Sequence, residues 1–174
     1  LDQAEILVTE KGVVGKALYA AALGAQRRLW EVRGWHMTVL AGPLLPPDDW
    51  AELCAMAREV PQVTLVRAVP SIASLLGAAG RVVSQCGYNS ALEILGSRLP
   101  TLFVPFARGQ ESEQTMRAQL FAAMGLAQWL PEDGLTGDTV ADFLLRLEPP
   151  ALSSGLVDID GAAASARIVA ELVA

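Results

Sequence analysis

Gly87, Tyr88, Asn89 and Ser90 stand directly after a short apolar run, in the stretch RVVSQCGYNSALE that covers Arg81 to Glu93. Arg81 to Gln85 is β-branched and reads as a buried strand. A helix then opens at Gly87 with no room for a long loop. Backbone N–H groups at a helix start have no partner within the helix and attract anions. A glycine there lets a phosphate approach the backbone closely. Glu93 follows one turn on. A carboxylate accepts two hydrogen bonds in a plane, which suits the vicinal 2′- and 3′-hydroxyls of a ribose. The same residues also have an ordinary reading. Ser90 and Glu93 fit the capping box S-x-x-E, which needs no ligand, and on spacing alone that reading is the better one.

A second polar segment lies just beyond the next strand. Arg108, Gly109 and Gln110 form a flexible loop, and Glu113 and Gln114 open another helix. Adjacent acid and amide side chains can grip sugar hydroxyls by accepting and donating. The alternative is a solvated helix start enriched in acids. The first turn, TEKGVVGKA, offers Gly12, Gly15 and Lys16. It is not a P-loop, which requires G-x-x-x-x-G-K-S/T. Here two residues separate the glycines and Ala17 follows Lys16, so no hydroxyl is placed for Mg²⁺. A nucleoside triphosphatase is therefore excluded. His36 has no triad partner in view, and Trp30, Trp35, Trp50 and Trp129 read as packing residues. The sequence displays no serine elbow, metal-ligand cluster or carboxylate dyad, so neither a metal nor a cofactor is expected.

The elements that must position these residues alternate regularly. Ala4–Thr9 is expected as strand one, followed by a helix over Val13–Trp30 with Gln26, Arg27 and Arg28 near its end. His36–Ala41 is strand two. Asp48 or Asp49 is expected to cap a helix over Trp50–Glu59. Gln62–Arg67 is strand three, and Ser71 caps a short helix through Leu76. Arg81–Gln85 and Thr101–Val104 are strands four and five. Glu111–Met124 is a long helix ended by Gly125. Ala127–Leu130 is strand six, and Asp138–Leu147 a helix. Pro149 and Pro150 then break the chain before a last helix over Asp160–Val173, which the break frees to pack away from the core. Alternation of this kind predicts a parallel sheet covered on both faces. The domain is expected to be Rossmann-like and three-layered, α/β/α, with the sheet in the order 3-2-1-4-5-6. Its switch point falls between strands one and four, where Gly12 and Gly87 face each other at the carboxyl edge.

Length and composition agree with one such domain: 174 residues, 52% hydrophobic and 18% charged. The net charge of −6 and the lack of a Lys/Arg cluster argue against a nucleic-acid binder. No apolar run approaches the ~18 residues of a membrane-spanning helix. LDQAE is not a signal peptide, and Cys54 and Cys86 form no metal or redox motif. Each cysteine is expected as a small buried residue in a reducing cytoplasm. The start at Leu1 rather than Met leads us to expect a piece of a longer protein.

The stretch QCGYNSALEILGSRLPTLFVPFARGQESEQTMRAQ resembles the C-terminal donor-binding half of GT-B glycosyltransferases, specifically family 28 of the MurG type. It is similar still more to a bacterial group of predicted glycosyltransferases that also end in a segment like VDIDGAAASARIVAEL. The resemblance implies that residues 1–174 form a single nucleotide-sugar domain and that an N-terminal acceptor domain lies outside this chain. It implies that the residues from Gly87 to Ser90 bind the donor diphosphate and that Glu93 binds the ribose. Glu113 and Gln114 match the pair that contacts the donor sugar, in a loop one residue longer than in the MurG type. Val69, after strand three, falls where the family's backbone meets the nucleobase. Gly12 and Arg108 complete the candidate donor site.

One departure stands out. Thr9-Glu10-Lys11 replaces part of a glycine-rich first turn, and Glu10 disfavours an anion there unless Lys11 offsets it. The implied reaction is hexosyl transfer from a nucleotide diphosphate sugar, a UDP-sugar, to an acceptor. The catalytic base and the acceptor site would belong to the other half, as would any peripheral membrane contact. Two rivals remain open: a UDP-sugar epimerase or hydrolase of the same fold, and a non-catalytic donor-binding subunit completed by a separate chain.

Overall fold

The computed structural model describes residues 4–10, 15–107, 109, 112–150 and 161–173. Among these, strands β1 (Glu5–Thr9), β2 (His36–Leu40), β3 (Val63–Val66), β4 (Arg81–Ser84), β5 (Thr101–Phe103) and β6 (Gln128–Trp129) form one sheet. The order is β3-β2-β1-β4-β5-β6, with every pairing parallel. Helices α1 (Lys16–Arg33), α2 (Pro47–Arg58), α3 (Ala73–Ala78), α4 (Tyr88–Ser97), α5 (Glu113–Ala123), α6 (Gly137–Arg146) and α7 (Gly161–Leu172) complete the fold. The expected order and the switch point between β1 and β4 are both present.

Side-chain alternation along the strands builds the two faces. Ile6, Val8, Val83 and Leu102 enter one cluster with Leu18, Leu23 and Leu29 of α1 and Val140 and Leu144 of α6. Leu7, Val82 and Phe103 enter the other with Leu76 of α3, Ile94 of α4 and Phe121 of α5. Every strand that pairs on both sides is thus covered above and below, which explains why these strands read as continuous apolar runs. α1 and α6 touch backbone to backbone: a Cβ on Gly137 would sit 2.7 Å from the Gly24 carbonyl carbon.

Several expected boundaries shift, each for a local reason. α1 runs on to Arg33 and stops at Gly34, whose φ of 66° ends it in the left-handed conformation. Gln26 is therefore not near the helix end. It is buried and donates through Nε2 to the Trp35 carbonyl at 2.8 Å, anchoring α1 to the entry of β2. Neither Asp48 nor Asp49 caps α2. Pro46 is the N-cap and both acids lie in the first turn, where they suit the helix dipole. Ser71 Oγ accepts from the Ala73 N–H at 3.2 Å, just outside α3, with Ile72 as N-cap. α5 begins at Glu113, two residues later than expected, after Ser112 as N-cap. β6 is shorter than expected and α6 one residue longer at its start. Val13, Glu111 and Asp160 lie outside the described residues.

The aromatic residues do pack. Trp35 is buried with the Arg81 guanidinium 3.6 Å above its ring, and Trp30 meets His36 edge-on at 5.3 Å. His36 is thus a surface packing residue at the amino end of β2. Cys86 is buried, whereas Cys54 is only half-buried. α7 buries none of its residues and leaves Ile168, Val169 and Leu172 exposed. No helix among the described residues is long and apolar enough to cross a membrane.

Candidate functional site

Because all strands are parallel, the turns after β1, β3, β4 and β5 share one edge of the sheet. The β1 and β4 ends are tied there by Ser84, whose buried Oγ donates to the Thr9 carbonyl at 2.9 Å. The β4 ladder closes with the Val104 N–H on the Ser84 carbonyl at 2.8 Å. Beyond it the chain makes Gln85 and Cys86, both buried, and reaches Gly87.

Gly87 is the N-cap of α4, with φ −63° and ψ 145°. Its carbonyl accepts the first helical bond, from the Ala91 N–H at 2.9 Å. The N–H groups of Tyr88, Asn89 and Ser90 fall in the first turn, before intrahelical partners exist. Tyr88 and Asn89 are exposed and Ser90 is half-buried. The capping-box reading fails here. α4 starts at Tyr88, so Ser90 is the third helical residue rather than the N-cap, and Glu93 lies one turn further on, exposed. Backbone geometry does not demand glycine either, because φ −63° suits any residue. Among the described residues, a Cβ on Gly87 would meet nothing within 4 Å. Neither packing among the described residues nor backbone conformation therefore requires glycine at this position.

The second loop lies beside this turn. Glu113 opens α5 and is exposed, and Gln114 turns inward so that its Oε1 accepts the Phe106 N–H at 3.3 Å. Gln114 therefore braces the loop that follows β5. Val69, after β3, is half-buried against the second core cluster. β3 lies three strand spacings from β4, an offset of about 14 Å along the edge. Gly12 and Arg108 lie outside the described residues.

The start of α1 contrasts with that of α4. Glu10 is only 8% exposed. A Cβ on Gly15, the N-cap of α1, would come within 2.9 Å of Glu10 Oε2 and 2.7 Å of the Tyr19 ring. The positive end of α1 thus already faces a carboxylate from its own chain. Tyr19 donates to the Glu10 carbonyl at 3.0 Å, and burial, reinforced by the Glu10 charge, raises its phenol far above the ordinary range. Lys16 points at α2, where it meets Asp49 at 3.3 Å and Glu52 at 2.5 Å. Neither Gly15 nor Lys16 resembles a phosphate cradle.

Sequence reasoning missed Arg117. Its Nη1 donates to the Cys86 carbonyl at 2.6 Å, across thirty-one residues of sequence. The guanidinium also lies 5.5 Å from the Tyr88 ring centre and 3.8 Å from Glu113. No local pattern marks this residue, because its partners meet it only in the folded chain. The molecule also has a cavity of about 560 Å³ lined by Arg33, Trp35, Arg81, Arg98 and Glu148 among others. It lies at the amino edge of the sheet, where strands begin, away from all the turns described above.

A six-stranded parallel sheet in this order, covered by helices on both faces, defines a Rossmann-like α/β domain. The chain belongs to glycosyltransferase family 28, whose C-terminal domain model matches residues 18–166. A relative from Synechococcus elongatus is 30% identical over 157 residues, covering 90% of this chain and 42% of its own. That relative is a UDP-N-acetylglucosamine–N-acetylmuramyl-(pentapeptide) pyrophosphoryl-undecaprenol N-acetylglucosamine transferase. The crystal structure of MurG from Acinetobacter baumannii shares the fold with a TM-score of 0.67 at 15% identity, over 82% of this chain and 40% of that one. The glycosyltransferase VinC in complex with dTDP aligns with a TM-score of 0.61 at 20% identity, over 82% of this chain and 32% of that one. This chain therefore spans under half the length of these relatives.

Proposed function

We propose that this chain holds the nucleotide-sugar donor of a glycosyltransferase and that the complete protein moves a hexosyl group from a UDP-sugar to an acceptor. The observation that carries the reading is the start of α4: a glycine N-cap whose Cβ position meets no described residue within 4 Å, at the switch point of the sheet. First-turn N–H groups without intrahelical partners and the helix dipole favour a diphosphate there. The base lies near Val69, the ribose near Glu93, the diphosphate at Gly87 to Ser90, and the sugar toward Glu113 and Gln114. Gly12 and Arg108 are included among the proposed donor-binding residues.

The Synechococcus relative is named for transfer of N-acetylglucosamine from UDP-N-acetylglucosamine, which supports a UDP-sugar as the donor here. The crystal structure of VinC, which shares this fold, holds dTDP, in keeping with a nucleoside diphosphate as the ligand proposed here. In the reaction, an acceptor oxygen forms a bond to the anomeric carbon while that carbon's bond to the β-phosphate oxygen breaks. UDP leaves with the electron pair. Backbone dipoles at α4 stabilise the charge that grows on it. The base and the acceptor site belong to the other half of the protein, as does any membrane contact. The free thiols of Cys54 and Cys86 agree with a cytoplasmic setting.

Purified residues 1–174 test this division of labour. We expect a cooperative thermal melt, UDP binding by calorimetry, and no sugar transfer. Transfer by this chain alone would overturn the division, and failure to bind UDP would overturn the donor reading.

A further inference from the structure

Arg117 lies beside the turn that leads into α4. The N-terminus of α4 carries a positive partial charge, and helices commonly offset it with Asp or Glu in the first turn. α4 has no acid in its first turn and no side-chain cap. A guanidinium lies there instead, bonded to the carbonyl of the residue just before the N-cap. Positive charge is thus set beside positive charge. Cys86 does not relieve it, since burial pushes its thiol up to about 12 even though Arg117 pulls the other way. The pairing with Glu113 is long, at 3.8 Å, and Glu113 is 84% exposed, so its screening by water is strong.

Geometry gives this cation a second task. The Cys86 carbonyl lies beyond the last β4–β5 ladder bond and before the first helical bond of α4. Arg117 donates to it from a side chain only 19% exposed. Fixing that carbonyl fixes the orientation of the Cys86–Gly87 peptide, and so the aim of the N–H groups that follow. The same guanidinium sits by the ring of Tyr88, the first residue of α4, and one helical turn from Glu113, the first residue of α5.

We infer that Arg117 is a positioning residue for the diphosphate: it orients the turn before α4, adds positive charge there, and ties that turn to the start of α5 where the sugar is expected. The inference rests on the nucleotide-sugar reading above. It predicts a penalty confined to ligands that carry phosphates.

The test is titration of the complete protein and its Arg117→Met and Arg117→Lys variants with UDP and with uridine, alongside thermal melts. Met keeps the packed stem without the charge, and Lys keeps the charge without the planar fork. We expect Arg117→Met to weaken UDP binding ~10-fold and to leave uridine binding unchanged. Arg117→Lys should recover part of the loss. Equal losses for UDP and uridine would overturn the inference, since that pattern marks a general loss of structure. Unchanged UDP binding in Arg117→Met would overturn it too, while leaving the donor reading intact. If the unaltered protein binds no UDP, the donor reading fails and the inference with it.

Discussion

Helices α4 and α6 are both ten residues long, yet they begin in opposite ways. α6 is sealed. Thr136 is its N-cap and accepts from the Thr139 N–H at 3.1 Å, while Thr139 Oγ1 accepts from the Thr136 N–H at 2.9 Å. Asp138 adds a negative charge in the first turn. α4 has a glycine where α6 has a threonine, no first-turn acid, and an arginine close by. Both helices bury apolar residues along their inner faces: Val140, Ala141 and Leu144 for α6, Ala91 and Ile94 for α4. Packing therefore does not explain the difference. We propose that the start of α4 is left uncapped and positive because it serves a ligand, whereas that of α6 is closed by side-chain caps for stability.

The largest effect that would break this contrast is expected at Gly87. Gly87→Val should lower UDP affinity at least ~100-fold, or about 2.8 kcal/mol, because the branched side chain fills the approach to the N–H groups. The melt should move little, since φ −63° is ordinary and a Cβ there meets no described atom within 4 Å. Retained affinity in a folded Gly87→Val protein would show that the open start serves no ligand. Glu93→Ala comes next. With no capping box at Ser90 to lose, it should cost about 0.5 kcal/mol of stability or less and weaken UDP binding ~10-fold. A large drop in melting temperature with affinity intact would instead restore Glu93 to a structural role.

The remaining two predictions sharpen the comparison from the closed side. Thr136→Ala should destabilise the fold by about 1 kcal/mol and leave UDP affinity unchanged, as checked by denaturant melts and calorimetry. Gly87→Ser gives α4 the kind of cap that α6 has. It should stabilise the protein by only a few tenths of a kcal/mol while slightly weakening UDP binding, because the new hydroxyl occupies an N–H that phosphate would use. Improved binding would contradict the account.

These helix starts also mark where the sequence could and could not be read. The parallel sheet was legible because β1, β4 and β5 are short apolar runs between helices, and the family resemblance pointed to their order. The open turn at Gly87 was visible as a glycine after a buried strand. Whether Ser90 was a cap was not visible, since S-x-x-E fits both an N-cap and a third helical residue. The true box at α6 escaped notice because Thr139 stands where Glu or Gln is the usual signal. Gln26, Arg81 and Arg117 could not be assigned from local patterns, because the Trp35 carbonyl, the Trp35 ring and the Cys86 carbonyl become their partners only after folding. The carboxyl edge was found from sequence, but its bracing was not.

Chemical-shift mapping of backbone amides during a UDP titration tests the central claim most directly. The account predicts shifts at Gly87 to Ser90, near Glu93 and Val69, and at the start of α5, all on the carboxyl edge of the sheet. Shifts confined to the opposite edge, around Gln62 or Arg81, would contradict it.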